Sequence, residues 1–195
     1  MKVEDWLDFF RRHREQKIFH FQHFRMLTGL KNHSLRVALK RLADKKVIQR
    51  IVRSYYINPF NPPTLEEISA TIYKPSYISL ESALYRHGVL SQFPYTLTCV
   101  TTRLPRKFDT PYGTIEYRQV QKKYFFGFSE EDSYLLAEPE KAVVDFLYLN
   151  RKGAIEGIIS ELGLKRLNSK RLRSYAERLG VSNVFNQNRE AQKFY

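Results

Sequence analysis

A single cysteine, Cys99, stands in 195 residues. One thiol closes no internal disulfide, so the fold has to rest on its own core, and this cysteine usage fits a reducing cytoplasm. No stretch approaches the roughly 18 uninterrupted apolar residues of a membrane helix. The first ten residues, MKVEDWLDFF, place acids where a secretion signal needs a basic start and an apolar run. Together these absences predict a cytoplasmic protein. Catalytic signatures are also lacking: there is no phosphate-binding P-loop, no GxGxxG, no GxSxG and no HExxH. His20 and His23 lie three apart, but no third ligand accompanies them. The sequence therefore predicts no catalytic residues, no metal and no cofactor.

Acidic residues are the other shortage. Lys and Arg number 33 against 20 Asp and Glu, a net charge of +13. The excess is not spread evenly. Residues 1–60 carry 14 Lys/Arg against 5 Asp/Glu, residues 61–150 carry 9 against 11, and residues 151–195 carry 10 against 4. Two basic ends flanking a near-neutral middle suit phosphate binding, because each neutralised phosphate releases counterions. Hydrophobic residues at 43%, with 13 Tyr and 14 Phe, make disorder an unsuitable reading and allow a sizeable core.

What is present near the start is a pattern of elements. Val3, Trp6, Leu7 and Phe10 form one stripe of a first helix over Val3–His13, and Lys17-Ile18-Phe19 suits a short strand. A helix over 22–27 stops at Gly29, and Asn32 is placed to cap the next one. In that third helix Leu35, Ala38, Leu39 and Leu42 repeat at helical spacing and must face inward. This leaves His33, Ser34, Arg36, Val37, Lys40 and Arg41 pointing out. Two short β-runs follow, Val47–Ile51 and Tyr55–Ile57, joined by a turn carrying Arg53. The order predicts a winged helix-turn-helix, a fold that sets one helix in a DNA major groove. Arg reads guanine bidentately, while Ser, His and Lys reach base edges or phosphates. Arg50 and Arg53 on the wing are expected to meet phosphate.

The run Asn58-Pro59-Phe60-Asn61-Pro62-Pro63 continues neither helix nor strand. It divides a DNA-binding domain at 1–58, through a linker at 59–63, from a second domain at 64–195. The second domain reads as mixed, with helices over 64–72 and 79–87, and strands over 95–102 and 114–120. Two more strands are expected at 124–128 and 133–137 around an acidic loop, Glu130-Glu131-Asp132. Pro139 opens a strong helix, and further helices are expected over 154–162, 169–179 and past Asn183. The overall class is α+β.

Four ordered segments resemble one family. SYISLESALYRHGVL (76–90), VTTRLPRKFDTPYGTIEYRQV (100–120), YFFGF (124–128) and LLAEPEKAVVDFLYL (135–149) are similar to the antitoxin domain of AbiEi proteins. These are the antitoxin halves of bacterial type IV toxin–antitoxin, or abortive-infection, systems. The resemblance spans roughly residues 1–150. It implies an N-terminal winged helix that binds inverted repeats in the protein's own promoter and represses the operon. It also implies a C-terminal domain that counteracts an AbiEii-like nucleotidyltransferase toxin without a stable complex. Palindromic double-stranded DNA would then be met by a dimer or by monomers placed side by side.

Within those segments Ser79, Glu81, Glu140 and Asp145 carry two readings. They are antitoxin-motif residues, or they serve structure: Ser79 as a cap, Glu81 and Glu140 near positive helix ends, Asp145 paired with a neighbouring base. Lys165, Arg166, Lys170, Arg171 and Arg173 form either a solvated helix face or a second electropositive surface for DNA or RNA. Two alternatives to the antitoxin reading remain: a winged-helix regulator without a toxin partner, and an interaction protein that blocks its partner by direct binding.

Overall fold

The computed structural model describes residues 2–150 and 162–187. Among these the chain is α+β, with eight α-helices and two sheets of three and six strands. It divides into two compact units: Met1–Ile72 with Thr110–Tyr112, and Tyr73–Asp109 with Gly113 onward.

The first unit orders its elements α1 (Val3–Arg12), β1 (Ile18–His20), α2 (Phe21–Thr28), α3 (Asn32–Asp44), β2 (Arg50–Val52), β3 (Tyr55–Ile57) and α4 (Leu65–Ile72). The strands pair antiparallel in the order β1-β3-β2, with a register irregularity between Arg50 and Val52. Its core is aromatic. Trp6, Phe9, Phe10, Phe19 and Phe24 are buried together, and the Phe19 and Phe24 rings stack at 4.9 Å. Phe9 takes the inward position expected of Leu7, which is half-buried, because the spacing 6, 9, 10 follows the helical period. Gly29 ends α2 in the left-handed region at φ 67°. Asn32 does not cap α3: the N-cap is Lys31, without a side-chain bond.

The proline-rich run is not a free linker. Asn58 is fully buried, its amide nitrogen lies 3.0–3.3 Å from the carbonyls of Phe10, His13 and Gln16, and its oxygen accepts from the Phe60 amide. Beyond it, Thr64 and Glu67 exchange backbone and side-chain bonds in a capping box that starts α4. Glu67 also takes the Lys17 ammonium at 2.6 Å. These tethers carry the first unit past residues 59–63, where the sequence placed a boundary, to Ile72.

The second unit contains β4 (Ser76–Ile78), α5 (Leu80–Arg86), β5 (Thr96–Thr101), β6 (Arg106–Thr110), β7 (Gly113–Gln119), β8 (Phe128–Glu131), β9 (Tyr134–Ala137), α6 (Pro139–Leu149), α7 (Ser169–Leu179) and α8 (Ser182–Gln187). The sheet runs β6-β7-β5-β4-β9-β8, with β4 antiparallel to β5 and parallel to β9, and β5 parallel to β7. α5 packs on β5 and α6, and α6 packs on α7 and β9.

Two local expectations differ. Of residues 124–128 only Phe128 is in a strand: a 3-10 turn covers Lys122–Tyr124, and Gly127 turns the chain at φ 74° before β8 begins. A side chain at Gly127 would also press on the Lys141 stem at 3.1–3.2 Å. Glu130 and Glu131 lie in β8 rather than in a loop, paired with Leu135 and Tyr134, and the turn falls at Asp132. The helix expected over 154–162 lies, but for Leu162, outside the described residues.

Candidate functional site

Two places gather polar chemistry, one in each unit. The first is the outer face of α3. Leu35, Leu39 and Leu42 are buried in the aromatic core, and their helical spacing turns the opposite side outward. His33, Ser34, Arg36, Val37, Lys40 and Arg41 are all exposed there. Ala38, which the sequence grouped with the buried leucines, is half-buried. Arg36 has its guanidinium over the Phe21 ring at 5.7 Å, which steadies it without neutralising it. Val37, 45% exposed, is an apolar residue amid these polar neighbours.

The hairpin β2–β3 follows. Its tight turn places Ser54 at φ 70°, and Arg50 and Arg53 are exposed on it. The Arg50 guanidinium bends back to donate to the Val52 carbonyl at 3.3 Å. Arg41 differs from the other α3 cations in lying by a cleft of about 310 Å³ lined also by Lys2, Glu4 and Trp6 of the α1 end. A helix presenting cations on one side and a basic hairpin after it can neutralise phosphates and reach base edges. His20 sits at the start of α2, accepting from the Gln22 amide, and burial with His23 nearby lowers its pKa.

The second place is a buried cluster between the sheet and α6. Asp145 is completely buried, and three groups serve its carboxylate. Tyr77 donates to Oδ2 at 2.8 Å, Ser79 donates to the same oxygen at 2.9 Å, and Lys141, one turn earlier on α6, pairs with Oδ1. Lys141 also donates to the Tyr77 hydroxyl at 2.9 Å, and its ammonium lies 5.0 Å from the Phe126 centroid. Burial pushes the Asp145 carboxyl up and the Lys141 ammonium down, and their mutual attraction opposes both shifts. Burial, then the Asp145 charge, hold the Tyr77 hydroxyl well above its ordinary value. Directly after Ser79, the buried Leu80 adopts φ 58°, a strained conformation for a branched side chain.

Ser79 therefore does not cap α5; its hydroxyl is drawn to Asp145. Glu81 is half-buried, and its Oε2 lacks a hydrogen-bond partner among the described residues. Glu140, 3% exposed, accepts from the Asn168 amide at 2.7 Å and faces Arg171 at 3.6 Å. The base that pairs with Asp145 is Lys141. Neither Lys141 nor Tyr77 was singled out from the sequence, although the i, i+4 spacing of Lys141 and Asp145 was a usable signal.

The C-terminal cations divide. Lys165, Lys170 and Arg173 are exposed, but Arg171 is spent on Glu138 at 3.3 Å and on Glu140. Arg166 begins no helix; it closes a short 3-10 turn, Leu164–Arg166. Tyr175 donates to Glu138 at 2.7 Å, and burial with that bond pushes its pKa up to about 12. Among the described residues no group of three or more His, Cys, Asp or Glu is placed to hold a metal ion, and no helix is long and apolar enough to cross a membrane. In comparisons with known proteins the chain matches no family model and none of the curated proteins searched.

Proposed function

We propose that the first unit is a winged helix-turn-helix and that the chain is an AbiEi-like antitoxin. In this reading it represses its own operon by binding inverted repeats in the promoter, and it counteracts a nucleotidyltransferase-like toxin. The observation that carries the DNA-binding half is α3, whose apolar side is sealed in the aromatic core while His33, Arg36, Lys40 and Arg41 stand exposed on the other. The short α2, the left-handed turn at Gly29 and the hairpin with Arg50 and Arg53 surround it in the order such domains use. In this assignment α3 is the recognition helix, and Arg50 and Arg53 contact phosphate. The antitoxin half rests on the four sequence segments described above. An inverted repeat would be occupied by two copies, as a dimer or as adjacent monomers.

A mobility shift on the protein's own upstream duplex, with a scrambled duplex as control, tests the first half. Promoter-selective binding is expected, reduced at least about 100-fold in an Arg36→Ala/Lys40→Ala/Arg41→Ala variant, since each good contact is worth roughly 1–3 kcal/mol. Equal affinity for both duplexes would sink the repressor reading. Co-expression with the neighbouring gene product tests the second half: restored growth is expected, and a toxic product that stays toxic rules the antitoxin reading out.

A further inference from the structure

Four cations of the second unit stand outside its ion pairs. Lys74, Arg103, Arg106 and Lys107 are exposed, and none forms an ion pair among the described residues. Other arginines of this unit are engaged: Arg86 with Glu131, Arg118 with Glu116, and Arg171 with Glu138.

Arg103 and Arg106 are also held over one ring, the Lys74 backbone is tied to Arg103, and Lys107 adds charge next to Arg106 along β6. The Arg103 guanidinium lies over the Tyr73 ring at 4.2 Å, and Arg106 sits near the same ring at 5.8 Å and near Phe108 at 5.4 Å. Tyr73 packs on Tyr117, so the platform is anchored in the sheet. The loop between β5 and β6 is pinned from several sides. The Tyr73 hydroxyl donates to the Leu104 carbonyl at 2.9 Å, and the Thr101 hydroxyl donates to the Pro75 carbonyl at 2.7 Å. Arg103 donates from its amide to Thr101 and from its guanidinium to the Lys74 carbonyl. A pre-ordered set of cations loses little conformational freedom on meeting an anion.

We propose that Lys74, Arg103, Arg106 and Lys107 form a second nucleic-acid contact, made to the phosphate backbone of duplex DNA. Cations that no carboxylate neutralises call for a polyanion, and guanidiniums lying over rings keep outer N–H groups for phosphate. Single-stranded RNA or DNA would be held by open rings on which bases stack. Here Tyr73 is 6% exposed and Tyr117 is buried, so the rings are already covered and offer no platform. Contact to backbone alone adds affinity without adding sequence preference. The patch extends the proposed DNA-binding role but belongs to a different compact unit from α3, so the two can fail independently.

The test uses the full chain in three forms: wild type, the α3 triple variant, and Arg103→Gln/Arg106→Gln/Lys107→Gln, which keeps long stems over Tyr73. Lys107→Glu alone, leaving both guanidiniums over Tyr73 in place, covers the case in which the triple variant fails to fold. Affinity is measured against salt for the promoter duplex, the scrambled duplex and a single-stranded RNA. Each lost phosphate contact should flatten the slope of log K on log salt by about 0.9, so the triple variant should lose roughly 2–3 units of slope. Its affinity should fall about tenfold or more on both duplexes alike, with the ratio between them unchanged. Lys107→Glu should move both quantities in the same direction by less. Wild-type slope and affinity in a folded variant would overturn the proposal while leaving the α3 reading standing. A loss confined to RNA, or a wild type that binds no duplex, would overturn it as well.

Discussion

Asp145 and Lys141 are both completely buried, and each is the other's main compensation. Taking one away strands the other charge in a low-dielectric core, which typically costs about 3–5 kcal/mol. Asp145→Ala should therefore cost that much in denaturant unfolding, and it also deprives the Tyr77 and Ser79 hydroxyls of their acceptor. Replacing both partners, Lys141→Met with Asp145→Leu, should cost less than Asp145→Ala alone, because no charge is left behind. A double variant as unstable as the sum of its singles would mean the pair is not coupled. Tyr175 supplies a second residue-scale expectation. Its hydroxyl titrates at about 12 in the fold against an ordinary 10.0. A raised value means the folded state holds the proton more tightly, so the contribution is fully present below about 10 and is lost as pH climbs through about 12. Thermal melts between those values should fall more steeply for the wild type than for Tyr175→Phe.

At the scale of elements, α3 and α6 show two ways for a helix to be specified. α3 has an apolar stripe and an exposed polar side, so its orientation follows from its own period. α6 is buried on nearly every side, from Glu140 to Leu147, and no stripe orients it. Its position is set by partners instead: Asp145 held by β4 and the Ser79 turn, and Glu140 by the Asn168 amide. The proline-rich run after β3 is specified in a third way, by one buried amide. Asn58→Ala removes donors to the α1 end and its following turn, and leaves buried carbonyls unpaired at about 1–3 kcal/mol. The sole tryptophan, Trp6, is buried in the first unit, so its fluorescence reports that unit. Asn58→Ala should lower the transition followed by Trp6 fluorescence by several degrees, as roughly 4–8 °C per kcal/mol applies to a unit of this size. An unchanged midpoint would show that the amide contributes nothing net.

Over the whole molecule the relevant quantity is charge. A net +13 concentrated toward the two ends of the sequence makes association with a polyanion sensitive to salt. Raising salt from 50 to 200 mM should weaken promoter binding by about 1,000-fold if some six phosphates are contacted in all. A salt-independent affinity would mean that the cationic surfaces take no part in binding.

The sequence by itself determined what depends on neighbours along the chain. The Leu35, Leu39 and Leu42 spacing decided which side of α3 is outward, Gly29 decided where α2 stops, and Pro139 decided where α6 begins. The exposed candidates on α3 and the hairpin were legible for the same reason: their surroundings are one or two turns away. Tertiary structure decided everything whose partner lies far off. Ser79 is drawn from its helix to Asp145, Arg171 is neutralised by Glu138, and Asn58 binds the first unit together instead of ending it. Arg103 and Arg106 read as ordinary loop charges until Tyr73 is set beneath them. Local preferences act through bonds made within a few residues, whereas a buried charge or a stacked cation gains its meaning only from the groups that folding brings beside it.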